Sequence, residues 1–569
     1  MKIHGTTKVM TSRMPCAGHR RYLRSCPGHP PGPRSAARLV EGVEFMSLTS
    51  LVSYDQVPYQ SGSYRLTHPC YLAVLPTLFG VEPPPVRSGR VLELGCASGG
   101  NVIPMAQDLP DAEFVGIDLS ARQIADGRGL LAELQIGNVE LRHASILDVD
   151  DSWGKFDFII CHGVYSWVPR EVQDKILRIG SRNLRPGGLC YVSYNTYPGW
   201  HLRGVVRDMM QYHVASFDDP QTKIDQARSL LDFLNNSSKP RSEAYRRLLA
   251  DEAEILGRHS DSYLFHEHLE EVNEPLYFHQ FVGRVHDAGL EYLAESDFVA
   301  MLAGGFDPQT AAILQDAPLL RQQQYLDFLR NRMFRASILC HADAPIDRSV
   351  PATRLARCHV TLDERLSFDR AAVVSSETLT ATVGHERVTA SRPLTKAALD
   401  LLNEAWPAAL AFEDLVTAAA AKAGMSVDDG RGQAAVPESQ RAMLAGDLMT
   451  LFTRGLLRLA VDPPSLASAA GATPRVTPLA RAQSRRGNLV VNRRHEMVRL
   501  ADLSRALLLL LDGQHDRTSL LNWLAGAIAR GEFRVHREDK PLTDLDDATL
   551  TEILDGTLQA LSERALLLA

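Results

Sequence analysis

Val91-Leu92-Glu93-Leu94-Gly95-Cys96-Ala97-Ser98-Gly99-Gly100-Asn101, followed by Phe114-Val115-Gly116-Ile117-Asp118-Leu119-Ser120, decides how this chain folds. An apolar run ends in a glycine-rich turn and the next apolar run ends in an acid, the arrangement with which an α/β sheet cradles a nucleoside cofactor. Gly95, Gly99 and Gly100 let the backbone turn tightly and approach a ligand with no Cβ in the way. Asp118, at a strand end, is placed to accept hydrogen bonds from ribose hydroxyls.

The spacing narrows the ligand. A pyrophosphate turn favours G-x-G-x-x-G running into a helix N-terminus that faces the phosphates; here the string is Gly-Cys-Ala-Ser-Gly-Gly, preceded by Glu93. An acid beside the turn repels a pyrophosphate but can pair with the ammonium or sulfonium of S-adenosylmethionine, so methyl transfer is preferred over hydride transfer. Val139 to Ile146 reads as a third strand, Phe156 to Cys161 as a fourth and Leu189 to Tyr194 as a fifth, with helical spacing over Ala121 to Gln135 and Arg170 to Asn183. Nearly all-apolar strands alternating with helices indicate a parallel sheet covered on both faces. The ligand of such a sheet lies outside the carboxyl ends of its strands, where Gly95, Asp118, Ser145, His162 and Asn195 gather.

The glycine turn, the acid on strand two, the Phe-Asp-Phe-Ile-Ile strand and the Leu184-Arg185-Pro186-Gly187-Gly188 turn together resemble a Rossmann-like class I S-adenosylmethionine-dependent methyltransferase. Three further strings narrow the resemblance: Tyr54-Asp55-Gln56-Val57-Pro58-Tyr59 with Thr67-His68-Pro69, His162-Gly163-Val164-Tyr165-Ser166-Trp167-Val168-Pro169, and Tyr194-Asn195-Thr196-Tyr197-Pro198-Gly199-Trp200-His201. They are similar to bacterial methyltransferases with a methyltransferase regulatory domain, a family that includes the protein-lysine methyltransferases of rickettsiae, which act on outer-membrane protein. The likeness runs from about Ser53 nearly to the C-terminus. It implies S-adenosyl-L-methionine as cofactor, with Glu93, Gly95, Gly99, Asn101, Asp118, Leu119, Ser145, Ile146, His162 and Tyr59 as the residues expected to bind it. One position departs from the family: the string after strand three usually carries an acid for the adenine amino group, and here it is His143-Ala144-Ser145-Ile146. Ser145 can accept a hydrogen bond but lacks the charge, a difference of roughly 1 kcal/mol or more. Asp148 offers a second acid nearby, or is a solvated turn residue.

Methyl transfer from a sulfonium is an in-line displacement, so positioning and removal of the nucleophile's proton supply most of the catalysis. A lysine amine must arrive neutral, its pKa of about 10.4 lowered by desolvation or its proton taken by a base. Aromatic faces tolerate the cations on both sides of the reaction. Tyr165 and Trp167 leave strand four, and Tyr194, Tyr197 and Trp200 leave strand five. A single aromatic at a strand end is commonly packing; five at two adjacent ends point to binding. The expected catalytic residues are Tyr165, Trp167, Asn195 to orient an amine, Tyr197, and His162 as a proton acceptor, with His201 as a second acceptor. Tyr54, Tyr59 and His68 read as a lid over the cofactor or as simple packing.

At 569 residues the chain can form several domains. Its net charge of −7 gives no reason to expect a nucleic-acid surface. Eight cysteines without a C-x-x-C or a ligand cluster suggest neither a zinc site nor a disulfide framework, and a reducing cytoplasm fits. No signal-peptide core and no apolar run of about 18 residues occurs, so no membrane insertion is expected. The expected divisions are 1–46 as a disordered basic extension, 47–215 as the cofactor-binding domain and 216–340 as a helical regulatory domain. A connecting segment follows over 341–390, then winged-helix-like units over 391–462 and 495–569 separated by a linker over 463–494. The two units are read from a repeat: Ala397 to Pro407, Phe412 to Leu415 and Arg454 to Leu459 recur as Arg505 to Gly513, Ser519 to Leu521 and Arg564 to Leu568. In the regulatory stretch, strands are expected to stop after Trp200, and Gln324 to Arg335 to form a buried helix. His266 and His268 lie two residues apart and do not share a helix face, so no metal site is expected.

The favoured function is protein-lysine methylation, with the added domains presenting a polypeptide to the aromatic mouth. A small-molecule acceptor, with the added domains as a lid or homodimer interface, and a non-catalytic S-adenosylmethionine sensor that binds a partner, remain as alternatives.

Overall fold

The computed structural model describes residues 2–5, 57, 59, 61–237, 242–425, 436–537, 540–541 and 546–569. Tyr54 and most of the basic extension lie outside them. Seven strands form the central sheet: β1 (Arg90–Leu94), β2 (Glu113–Asp118), β3 (Val139–His143), β4 (Phe156–Cys161), β5 (Leu184–Asn195), β6 (Leu290–Glu295) and β7 (Phe334–His341), in the order β3-β2-β1-β4-β5-β7-β6. The first five run parallel, with Val91 opposite both Phe114 and Phe158. β7 runs antiparallel to β5 and to β6. The strand order reverses between β1 and β4, which is where such sheets bind ligands.

Burial explains why these stretches are strands. Val91 to Leu94 and all six residues of β4 are buried, as expected of a sheet covered on both faces. The covering helix Ala121–Leu134 starts where the Ser120 hydroxyl accepts the Gln123 amide at 3.2 Å and stops at Gln135, whose φ of 56° is left-handed. β3 ends at His143, short of Ile146, because the Ser145 hydroxyl accepts the Leu147 amide while Asp148 accepts the Ser145 amide, closing a helical turn. β5 begins at Leu184, so the expected Leu-Arg-Pro-Gly-Gly turn is already part of that strand.

Strands do not stop at Trp200. The regulatory stretch supplies β6 and β7, and the expected helix over Gln324 to Arg335 is instead the helix Leu319–Arg330, a left-handed Asn331 (φ 46°) and the start of β7. Tyr325, Phe328 and Leu329 on that helix are exposed. The turn from helix to strand encloses Arg335, fully buried, which bonds Asp327 through two nitrogens at 2.8 Å and Glu295 at 2.6 Å. Between β5 and β6 the helices Gly199–Val214, Pro220–Asn236 and Glu243–Arg258 build a small core of their own around Met210, Ile224, Leu231, Leu249 and Leu256.

The C-terminal half follows the expected repeat. Helices Pro393–Ala405, Phe412–Lys422 and Glu438–Thr453 lead to the strand Leu457–Ala460; helices Asp502–Leu508, Arg517–Ala529 and Asp547–Glu563 lead to Leu567, bridged to Val476. Two boundaries are corrected. The connecting segment contains the strand His359–Leu362, which pairs with Leu410–Ala411 and Leu457–Ala460, because the first unit's sheet needs a central strand from outside the repeat. The linker contains the helix Pro478–Arg486 and the strand Leu489–Val491, anchored by Leu479 in the main core. Lys2–Gly5, inside the segment expected to be disordered, lies antiparallel to Phe533–Arg537, which pairs on its other side with Lys540–Pro541.

Removing Arg335 would leave the buried Glu295 without its paired cation and Asp327 with only Arg332, 3.3 Å away. Arg335→Met should cost about 3–5 kcal/mol in denaturant-induced unfolding; a loss below about 1 kcal/mol would show that Glu295 and Asp327 find water instead.

Candidate active site

The carboxyl ends of the five parallel strands open into one cavity of about 510 Å³, within the roughly 300–1,000 Å³ of small-molecule sites. Its floor is the turn after β1. Gly95 has φ 77°, and a Cβ there would come within 2.5 Å of Val164. Gly99, φ 79°, lies below the cavity against Ile103 and shapes the turn without lining the space. Asp118 holds the turn in place, its carboxylate accepting the Ala97 amide at 2.8 Å and the Ser120 amide at 2.9 Å, and it lines the cavity beside Leu119.

Glu93 is the deeper acid, 3% exposed. Its Oε1 accepts from Asn101 Nδ2 at 2.7 Å, while Oε2 is buried with no hydrogen-bond partner among the described residues. Burial pushes its carboxyl up to about 8, Asn101 pulling the other way and Asp118 adding to the rise. An orphaned carboxyl oxygen lining a cavity is suited to a cationic ligand, such as an ammonium or sulfonium. Asn101 is held in turn by the Tyr64 amide (3.1 Å), the Thr67 hydroxyl (3.1 Å) and His495 Nε2 (2.7 Å), all on its Oδ1. At the other end of this lobe Ala144, Ser145 and Ile146 line the space. Asp148 is occupied in capping the Ser145 turn and does not line the cavity, so it does not replace the missing acid.

Of the residues expected to bind the cofactor, Tyr59, Glu93, Gly95, Asn101, Asp118, Leu119, Ser145, Ile146 and His162 line this one cavity. The expected catalytic residues divide. Trp167 and Asn195 line it; Trp167 meets Trp200 edge to face at 5.9 Å, and the Asn195 amide donates to Asn273 at 2.9 Å, leaving its carbonyl as the acceptor it can offer an amine. Tyr165, in the short helical turn after β4, and Tyr194, on β5, are core residues packed on Phe281. Tyr197 lies outside the cavity, stacked on His201 at 3.9 Å. His162 carries Tyr64 on its ring face at 3.7 Å, and its Nδ1 is engaged with the Tyr191 hydroxyl at 2.8 Å. Burial pushes His162 down to about 4, which makes it neutral and a poor proton acceptor from an ammonium. His68, read as part of a lid or as packing, is buried, its ring 5.2 Å from the His495 ring.

The wall opposite the nucleoside end comes from the helical insertion. Trp200 and Arg203 project from the helix Gly199–Val214, and Tyr263, Glu267, Glu270 and Glu271 from the segment around the π-helical turn Phe265–Leu269. Arg203 pairs with Glu252 at 3.3 Å and Glu267 at 3.6 Å. Burial raises the Glu267 carboxyl while Arg203 and Arg207 draw it back. These carboxylates were legible only as an acid-rich string: the π turn changes which side chains share a face, and such turns mark functional sites. His266 and His268 are bound to Glu270 (2.9 Å) and Glu252 (2.8 Å), and no metal cluster is present among the described residues.

Residues 91–188 match the methyltransferase domain family, 260–341 the family described as predicted methyltransferase regulatory domain, and 473–566 that of the PKMT C-terminal winged helix domain. An uncharacterised protein of Rickettsia prowazekii (strain Madrid E) is 33% identical over 501 residues, 87% of this chain and 89% of that one. A second from the same organism is 43% identical over 236 residues, 42% of this chain and 94% of that one. The solved structure of PKMT2 from Rickettsia typhi in complex with AdoHcy has a TM-score of 0.79 at 30% identity, covering 90% of this chain and 100% of that one. Sheet, cavity and likenesses together define an S-adenosylmethionine-dependent methyltransferase. The chain belongs to the family of these rickettsial proteins, with a methyltransferase core, a regulatory domain and a PKMT winged-helix domain.

Two predictions follow from the acids. Apo Glu93 keeps its proton up to about pH 8, and a cationic ligand favours the ionised form, so binding releases that proton. S-adenosylmethionine affinity measured calorimetrically should climb up to roughly tenfold per pH unit between pH 6 and 8 and level above. Glu93→Gln should weaken binding and flatten the profile; an unchanged slope would place the titrating group elsewhere. Ser145→Asp keeps the turn cap and restores the missing charge, and should tighten binding by about tenfold; no change would mean that the backbone there holds the adenine.

Proposed function

We propose that this methyltransferase acts on lysine ε-amines of protein substrates. What supports this is the composition of the far wall of the cavity. Trp167, Trp200 and Tyr263 give aromatic rings, Glu267, Glu270 and Glu271 give carboxyl groups, and Arg203, which lines the wall, is engaged by two acids. Such a wall attracts a cationic side chain and strips its water. The rickettsial relative bears the name PKMT2, and a protein acceptor agrees with its family's helical and winged-helix additions.

Bound S-adenosylmethionine supplies an electrophilic methyl group. The chain's own part is to hold the carboxyl of Glu93 against the cofactor's positive end, Asp118 at the ribose and Ser145 near the base. Trp167 and Trp200 exclude water from the entering amine, which lowers its affinity for the proton. Asn195 Oδ1 accepts from the amine and aims its lone pair. Glu267, partly desolvated, takes the proton, either directly or through a water molecule.

Incubating the protein with tritiated S-adenosylmethionine and cell lysate should label a protein band in which mass spectrometry finds methylated lysine. Label confined to small molecules would overturn the lysine reading while leaving the enzyme class intact. Glu267→Gln should lower kcat by roughly 100-fold or more, and Trp167→Ala by about 2- to 30-fold, both with cofactor affinity nearly unchanged. Tyr197→Ala should be far milder. Equal losses in kcat and cofactor affinity for Trp167→Ala would mark it as structural.

A further inference from the structure

His495 belongs to the C-terminal winged-helix region, 394 positions from Asn101, yet its Nε2 lies 2.7 Å from Asn101 Oδ1 in a buried contact. It sits at the tip of the hairpin formed by the strands Leu489–Val491 and Met497–Arg499. The tip is internally braced: Asn492 Oδ1 accepts the amides of Arg494 and Glu496, both at 2.9 Å, and Asn492 Nδ2 donates to Glu496 at 2.9 Å and to the Arg564 carbonyl at 2.9 Å. His495 itself is 1% exposed and has φ 60°, a conformation that side-chain-bearing residues seldom adopt.

The same tip grips the helix Val102–Asp108, which follows the glycine turn, at both ends. His495 reaches Asn101 at its start, and Arg493 pairs with the buried Asp108 at its end, 3.2 Å away. Other contacts already dock this region: Leu479 enters the main core, the Leu479 amide donates to Gln107 at 3.1 Å, and Arg485 and Arg486 pair with Glu133. His495 does something those contacts do not. The Tyr64 amide can only donate, so it fixes the Asn101 carbonyl on its own side, and His495 must bring its proton on Nε2 to the same oxygen. That leaves Asn101 Nδ2 aimed at Glu93 Oε1, the buried carboxyl that lines the cavity.

We propose that His495 is a positioning residue for cofactor binding, through which the C-terminal winged-helix unit completes the cofactor site by orienting Asn101 and, through it, Glu93. The assignment rests on the reading of Glu93 as a cofactor residue. With His495 removed, the Asn101 carbonyl oxygen keeps the Tyr64 amide and a Thr67 hydroxyl that it shares with the Tyr64 carbonyl, its amide gains freedom to turn, and Glu93 loses its fixed partner.

Calorimetric titration of the full chain with S-adenosylhomocysteine tests this. His495→Gly suits the positive φ and removes the imidazole; affinity should fall roughly tenfold. His495→Gln, which keeps a donor, should recover most of that loss. In combination with Asn101→Ala, His495→Gly should add nothing further, because both act on one chain of hydrogen bonds. Arg486→Ala, which removes an exposed docking pair with Glu133 and leaves the hairpin tip and Asn101 untouched, should leave affinity within about twofold of the unaltered protein. Should His495→Gly fail to fold by thermal unfolding, His495→Leu, which fills the space without a donor, carries the same test.

Additive losses in the double variant, no recovery with His495→Gln, or an equal loss with Arg486→Ala would overturn the positioning role. Glu93→Gln separates the two levels. If it weakens binding while His495→Gly does not, the His495 assignment fails alone. If neither weakens binding, the placement of the cofactor against Glu93 fails with it.

Discussion

The Asn101 side chain is the point at which three parts of this molecule meet. Its amide donates to Glu93 on β1, and its carbonyl oxygen receives the Tyr64 amide, the Thr67 hydroxyl and His495 Nε2. One short polar side chain therefore ties the segment before the sheet, the acid beside the glycine turn and the last domain into a single arrangement. A buried carboxyl is costly unless its surroundings are fully defined, and here the definition comes from elements hundreds of residues apart. Glu93 keeps a buried oxygen without a hydrogen bond among the described residues, and burial raises its proton affinity.

The rest of the cavity follows the same division of labour. Parallel strands supply one end of the cavity, because their carboxyl ends converge at the switch between β1 and β4. The helical insertion between β5 and β6 supplies the opposite wall, on which aromatic rings and carboxylates alternate. That insertion returns to the sheet through Arg335, whose buried pairing with Glu295 and Asp327 locks the last two strands. Regulatory domain and catalytic sheet are thus one packed body, joined by strands as well as by loops.

The C-terminal repeats use their basic residues internally. Arg485 and Arg486 pair with Glu133, Arg493 with Asp108, and Arg458 bridges Asp363 and Glu496. These pairs pack the winged-helix unit against the methyltransferase core. Among the described residues no helix is long and apolar enough to cross a membrane.

Local sequence alone was sufficient for β1, β2 and β4, the glycine turn, the strand-end residues that line the cavity and the repeated helices. Those features depend on short-range patterns: apolar runs, glycines at left-handed φ, and an acid at a strand end. Tertiary structure decided the remainder. Tyr165 and Tyr197 resemble Trp167 in sequence, yet the paths out of β4 and β5 put one in the core, one outside and only Trp167 at the cavity. β6 and β7 were hidden because they pair with β5 and each other across long insertions, and their burial becomes visible only when the partner strand is known. The acids of the far wall depended on a π turn that no apolar period announces, and His495 on a contact between residues 394 apart. Sequence patterns report what neighbouring residues do to one another; which distant surfaces meet is settled by the packing of the whole chain.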